Sequence, residues 1–176
     1  KGVFMEEHDN GCWTNHHSFV EYRGQWYLFY HHNDFSPRDD KRRSACIEKV
    51  TFRNDGIICE VRPTRRGVGV NKATEKIEID RYSEASRDVT TALVDTVNGL
   101  RGLQATLTAR GSWLQYNEVD FTDIRDGYVV ICAQANENTT LTLREKSAKG
   151  KVIAKMDLTV KSTGGPFRRD MSGKWL

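Results

Sequence analysis

The chain has 176 residues, with 27 Lys and Arg against 24 Asp and Glu, a net charge of +3, and 38% hydrophobic residues. This is ordinary for one or two globular domains, and three prolines with 29% charged residues exclude a disordered or proline-rich chain. The weak net charge gives little field for nucleic acid, and the longest strongly apolar run, Tyr128-Val129-Val130-Ile131-Cys132-Ala133, is far short of the ~18 residues of a membrane span.

The first predicted elements are strands. Residues 18–22 and 25–30 are short runs rich in aromatic and β-branched residues, and Arg23-Gly24 between them is a two-residue hairpin signal. A second pair, 44–52 and 57–61, flanks the turn signal Asn54-Asp55-Gly56. Four strands in meander order match the size and order of one β-propeller blade. A single blade cannot bury both of its faces, so further blades are expected upstream of Lys1. The joint between two units is placed at 62–71, which carries Pro, Gly and charge.

Beyond it, strands are predicted at 76–80, 103–109, 113–121, 127–135, 139–145 and 152–160. Alternation is clear in Leu141-Thr142-Leu143-Arg144 and Met156-Asp157-Leu158-Thr159-Val160. Short strands with polar, Gly-bearing turns indicate a β-sandwich. No segment has sustained helical periodicity; the nearest, 87–97, contains Val89-Thr90-Thr91, which disfavours a helix. The fold class is therefore all-β: a propeller blade over 1–70 and a sandwich, of jelly-roll type, over 71–176.

All five histidines, His8, His16, His17, His31 and His32, lie in the first 32 residues. Strand alternation puts one of each adjacent pair on a given face, and the hairpin brings the pairs together. Zinc is one reading, but there is no HExxH and no Cys pair to complete a tetrahedron; hydrogen-bonded histidines or the lining of a central site are the others. Cys12, Cys46, Cys59 and Cys132 have no CxxC spacing and read as buried thiols. The aromatic run Trp26-Tyr27-Leu28-Phe29-Tyr30 reads as packing. Arg42-Arg43 reads as a turn or, at a channel mouth, as a fork of donors for sugar hydroxyls. No carboxylate pair stands out for acid–base work: Glu6-Glu7 and Asp39-Asp40 sit in turn-like contexts. In the second part Trp113, Tyr116 and Trp175 offer rings that either stack on sugars or fill a core. Glu78 and Asp80 share a face of a predicted strand, and their hard oxygens suit calcium.

The stretch Thr14-Asn15-His16-His17-Ser18-Phe19-Val20-Glu21-Tyr22-Arg23-Gly24-Gln25-Trp26-Tyr27-Leu28-Phe29-Tyr30-His31 resembles the final blade of glycoside hydrolase family 43, as do Arg42-Arg43-Ser44-Ala45-Cys46-Ile47-Glu48 and Asn54-Asp55-Gly56. The resemblance covers about residues 1–68 and is to the branch acting on xylan and arabinoxylan. It implies a five-bladed propeller, with His16 helping to hold a central calcium or its water shell and Arg43 approaching substrate. It also implies three carboxylates, a base, an acid and a pKa modulator, on earlier blades. Inverting hydrolysis needs two carboxyl groups ~6.5–9.5 Å apart, so the chain by itself is expected to be inactive.

Residues 72–176 are similar to carbohydrate-binding module family 6 through Ile77-Glu78-Ile79-Asp80, Gly111-Ser112-Trp113-Leu114-Gln115-Tyr116-Asn117-Glu118-Val119-Asp120-Phe121, and Thr163-Gly164-Gly165 before Trp175. The similarity implies a structural calcium at Glu78 and Asp80 and a loop-end cleft with two aromatics, one from Phe167 or Trp175. Leu107 occupies a position where that cleft normally has an aromatic, which keeps a purely structural buttress open as one alternative, beside a non-catalytic carbohydrate-binding module. The expected partner is plant cell-wall xylan or arabinoxylan, or its oligosaccharides, and the last strands of the module are expected to lie beyond residue 176. The expected location is secreted, periplasmic or cell-surface, because polymers do not enter cells.

Overall fold

The computed structural model describes residues 2–5, 16–36, 39, 41–97, 100–124, 128–160 and 167–172. Among them there is no helix, and so none long and apolar enough to cross a membrane. The chain forms two compact units that interleave in sequence. The first holds residues 1–70, 77–93 and 102–118; the second holds 71–76, 94–101 and 119–176.

The first unit is built on an antiparallel meander of β1 (Ser18–Tyr22), β2 (Gln25–His32) and β3 (Ser44–Val50). Arg23 and Gly24 have φ of 53° and 78°, the double left-handed turn that matches strand twist and that the dipeptide announces. Pairing Phe19 with Leu28, Leu28 with Glu48 and Tyr30 with Cys46 sorts the side chains onto two faces. One face buries Leu28, Tyr30, Cys46 and Val50 together with Val61, packed against Phe4, Met5, Phe19 and Ile58. Complete burial of Leu28 and Val50 stabilises by roughly 1.5–3 kcal/mol each. The opposite face carries Val20, Tyr22 and Phe29, at 44%, 58% and 40% exposure, beside the half-buried Tyr27 and Ile47.

The expected fourth strand at 57–61 is reduced to bridges. The turn forms, with Gly56 N donating to Arg53 O and Gly56 at φ 78°, and Phe52 bridges Ile58. Val61 is then taken by another partner: its N–H donates to Phe4 O at 2.7 Å, in a parallel bridge with Met5. A backbone donor can be used once, so the segment leaves the sheet edge.

Short elements follow: β4 (Asn71–Lys72), β5 (Glu84–Ala85), the two-stranded ribbon of β6 (Thr90–Val97) and β7 (Leu100–Thr106), β8 (Leu114–Gln115) and β9 (Val119–Asp120). β5 pairs antiparallel with β8, and β4 pairs parallel with β9. Two expectations fail here. Residues 76–80 form no strand, because the Glu78 carbonyl accepts from Arg81 N and closes a turn. The expected strand 113–121 is split at Glu118, whose φ of 54° cannot continue a ladder.

In the second unit, β10 (Tyr128–Ala133) pairs with β13 (Phe167–Ser172), and β11 (Thr139–Arg144) pairs with β12 (Val152–Leu158), both antiparallel. Alternation directs Ala154, Met156 and Leu158 inward against Val129, Ile131, Ala133, Leu141 and Leu143. β13 is absent from the sequence expectation, since Arg168-Arg169-Asp170 hides its strand character. The expectation of buried thiols holds for Cys46 alone of the described cysteines. All three are free: Cys59 is half-buried, and Cys132, one step out of phase with Val129 and Ile131, is exposed.

Two loops are sensitive points. Asp88 Oδ2 accepts from Thr108 N at 3.2 Å, Ala109 N at 3.1 Å and the Ser112 hydroxyl. Hydrogen bonding, from Ser112 first and Ser86 second, holds its carboxyl down from 3.8 to about 2. A depressed folded-state value stabilises fully above the ordinary value and is lost as pH falls toward the lower one. Asp88→Asn therefore lowers Tm at neutral pH, and the gap to the parent chain narrows as pH falls below 3.8 and closes near about 2 in thermal melts taken across pH. In the β11–β12 turn, a Cβ on Gly150 would fall on the Glu145 carbonyl oxygen. Gly150→Ala is expected to cost about 1–3 kcal/mol in urea unfolding, as overpacking against fixed backbone does.

Candidate functional site

The β1–β2 register brings the histidine pairs together. Extending the ladder two residues beyond Ser18–Phe29 sets His16 opposite His31, and their rings lie 5.8 Å apart. His17 points elsewhere, edge-on to Phe4 at 5.6 Å. Arg43 is exposed and immediately precedes β3, whose Ser44 pairs with His32. Thus His16, His31 and Arg43 occupy one end of the meander. His8 lies outside the described residues. Among the described residues, no group of three or more His, Cys, Asp and Glu side chains converges as a metal site.

Behind this end sits a buried charge cluster that sequence reading did not find. Asp34 N donates to His32 Nδ1 at 3.0 Å, and the Asp34 carboxylate accepts from Arg65 Nε at 2.5 Å and from Arg65 Nη2. The Asp34 side chain is fully buried, and Arg65 reaches on to Thr91 Oγ1 at 3.1 Å. An Asp in a loop after a strand and an Arg in a Pro/Gly segment carry no pattern that pairs them; only the fold does.

A second network centres on Glu48. Its Oε1 accepts from Thr64 N and Thr64 Oγ1, both at 2.7 Å, and from Tyr30 OH at 3.2 Å. Burial pushes the Glu48 carboxyl up, against these donors. Burial, then the Glu48 charge, raises the Tyr30 phenol, and burial raises the Cys46 thiol to about 11, an unreactive thiol. Arg66, with its side chain 5% exposed, donates to the carbonyls of Gly69 at 2.7 Å, Asn117 at 3.0 Å and Glu118 at 3.4 Å. Lys49 Nζ meets Glu118 Oε1 at 2.5 Å. Within the first unit these contacts tie Glu118 to β3 and Asn117 and Glu118 to Arg66.

The expected module residues are placed as follows. Trp113 is half-buried, with its N–H donating to Ser86 Oγ at 3.0 Å and its carbonyl accepting from Ser86 N. Tyr116 is half-buried, and its hydroxyl donates to Ile79 O at 2.7 Å. Burial first and Asp80 second raise the Tyr116 phenol, so the 78–80 turn and Tyr116 are neighbours. Glu78 and Asp80 do not share a strand face, which corrects the sequence expectation: Glu78 is exposed on the turn and Asp80 is buried. Asp80 Oδ2 has no hydrogen-bond partner, and Arg81 Nε lies 4.0 Å from it. A buried carboxylate oxygen left open in this way suits a hard cation. Phe167 begins β13, paired with Ala133. Trp175 lies outside the described residues.

Among the described residues the buried carboxylates are Asp34 and Asp80. Asp34 is held as a structural counter-ion, so it is not available as a general acid.

The chain is 39% identical to a xylosidase/arabinosidase 43A of Humicola insolens over 51 residues, 42% to a beta-xylosidase of Xylanibacter ruminicola over 52, and 40% to a xylosidase/arabinosidase of Thermoclostridium stercorarium over 54. Its relatives are xylosidases and arabinosidases. The matches take in 28–31% of this chain but only 11–16% of those proteins. No known family profile matches. Among solved structures, the fold is similar to a glycoside hydrolase family 43 arabinoxylan arabinofuranohydrolase of Bacillus subtilis, in complex with cellotetraose. The TM-score is 0.54 at 21% identity, over 98% of this chain and 38% of that one.

Removing Asp34 leaves Arg65 charged and buried. Asp34→Ala is expected to destabilise by about 3–5 kcal/mol in chemical denaturation.

Proposed function

We propose that this chain is part of a glycoside hydrolase acting on xylan or arabinoxylan side chains or on xylo-oligosaccharides. Residues 1–70 supply the last blade of a five-bladed propeller, and 71–176 supply an attached carbohydrate-binding sandwich. The observation that carries this reading is the local identity of 39–42% to three xylosidases over just over 50 residues each. The two-faced meander supports it: a blade in a propeller has a neighbour on each side, and the face bearing Val20, Tyr22 and Phe29 is apolar and open. The preceding blades are the partner this face fits.

In that setting His16 and His31 face the channel, and Arg43 donates to substrate hydroxyls. The reacting carboxylates come from the other blades, so the 176-residue chain alone is inactive. Asp80, with its open buried oxygen, and Glu78 on the same turn would hold a structural calcium, which would supply positive charge to the buried carboxylate. Trp113, Tyr116, Phe167 and Trp175 provide the polysaccharide contacts of the sandwich, raising the local substrate concentration. The protein works outside the cytoplasm, secreted, periplasmic or on the cell surface, where the polymer is.

The second reading, a structural buttress that binds no sugar, is favoured by the Arg66 and Lys49 contacts, which fasten Asn117 and Glu118 to Arg66 and to β3 rather than leaving them on a free tether.

Assays on arabinosyl and xylosyl substrates test the first reading. The complete gene product is expected to turn over, and the 176-residue chain is not; robust turnover by the chain alone, or none by the complete product, overturns it. Affinity electrophoresis in soluble xylan separates the roles of the sandwich: retardation supports binding, and an unretarded band on every polysaccharide supports buttressing.

A further inference from the structure

The first unit contains an open cavity of about 310 Å³ between the Glu48–Lys49 stretch of β3, the 64–68 segment, Ser83 and the Asn117–Glu118 corner. That is the lower end of the size of small-molecule clefts, ~300–1,000 Å³. None of the residues discussed above as substrate contacts lines it.

Its charges cancel. Glu48 and Glu118 stand against Lys49 and Arg66, and both cations are already engaged. Lys49 Nζ is 2.5 Å from Glu118 Oε1, and Arg66 donates to the Gly69, Asn117 and Glu118 carbonyls. An anionic ligand finds no available cation, since both pair with Glu118, and Glu48 meets only the neutral donors of Thr64 and Tyr30. What remains is neutral hydrogen bonding. All three bonds to Glu48 fall on Oε1, and none of them on Oε2. Ser83 Oγ accepts from Asn117 N at 3.1 Å, and its own hydrogen remains to be donated. Asn117 uses Oδ1 to accept from Gln115 Nε2 at 2.8 Å, which fixes the amide orientation and leaves its NH₂ as a donor.

We propose that this cavity binds one uncharged, hydroxyl-rich unit, with Glu48 Oε2 accepting from it and Ser83 and Asn117 donating to it. A carbohydrate hydroxyl is both donor and acceptor, which is the pairing these walls present. That the unit is a pentose, xylose or arabinose, rests on the proposed function. The cavity has Val68 but no aromatic ring among its walls, so no stacking platform adds to the hydrogen bonds and binding is weak, in the millimolar range.

Amide chemical shifts of the 176-residue chain, titrated separately with xylose, arabinose, inositol and inorganic phosphate, test this. Saturable shifts at Ser83, Asn117 and Thr64 with a pentose, and none with phosphate, are expected. Ser83→Ala and Glu48→Gln are each expected to raise Kd about three- to tenfold, with ligand-free spectral changes confined to the amides around Asn117 and Thr64 that those side chains also bond. Saturation by inositol but by neither pentose upholds the cavity's chemistry and overturns the pentose assignment. No saturable shift at these amides with any neutral ligand, or a shift with phosphate instead, overturns the proposal.

Discussion

In β2, Leu28 and Tyr30 point one way and Tyr27 and Phe29 the other, and both sets are large and apolar. A strand with that composition is made for burial on two sides. Leu28 and Tyr30 are covered by Val61, Met5, Phe4 and Ile58, whereas Phe29, with Val20 and Tyr22 beside it, faces solvent. This imbalance governs the interpretation of the first unit. A sheet that had evolved to stand alone would carry polar residues on its outer face, as β11 and β12 do with Thr140, Thr142, Lys155 and Asp157.

Where apolar packing is thin, buried arginines take over. Arg65 neutralises Asp34 and extends to Thr91, and Arg66 collects three backbone carbonyls. Guanidinium suits this role because its planar fork of five donors satisfies several acceptors from one side chain. The consequence is that the segment after the meander, rich in Gly and charge, is not a loose linker. It is hydrogen-bonded to Arg81, Thr91, Asn117 and Glu118, and the compact units cut across the sequence rather than dividing it at one point.

Much of the first unit was legible beforehand because its signals are local. Arg23-Gly24 dictates a left-handed two-residue turn, and from that turn the register follows residue by residue until His16 meets His31. The β11–β12 hairpin was legible for the same reason, its Leu141 and Leu143 alternating in phase with Met156 and Ala154. What failed depends on distant competition. Val61 leaves the sheet because Phe4, 57 positions earlier, takes its N–H. Ile77-Glu78-Ile79-Asp80 alternates as a strand should, yet among the described residues no strand pairs with it, and it folds as a turn. Asp34–Arg65 and Glu48–Thr64 were invisible because ion pairs and hydrogen bonds of that separation leave no periodicity.

The central claim is that the open face of the meander belongs against another blade. Hydroxyl-radical footprinting of Tyr22, Tyr27 and Phe29, on the 176-residue chain and on the complete gene product, tests it most directly. The account predicts strong labelling of Tyr22 and Phe29 and weaker labelling of the half-buried Tyr27 in the chain alone, and protection of all three rings in the complete protein. Equal labelling in both would show that the face is a true outer surface and would contradict it.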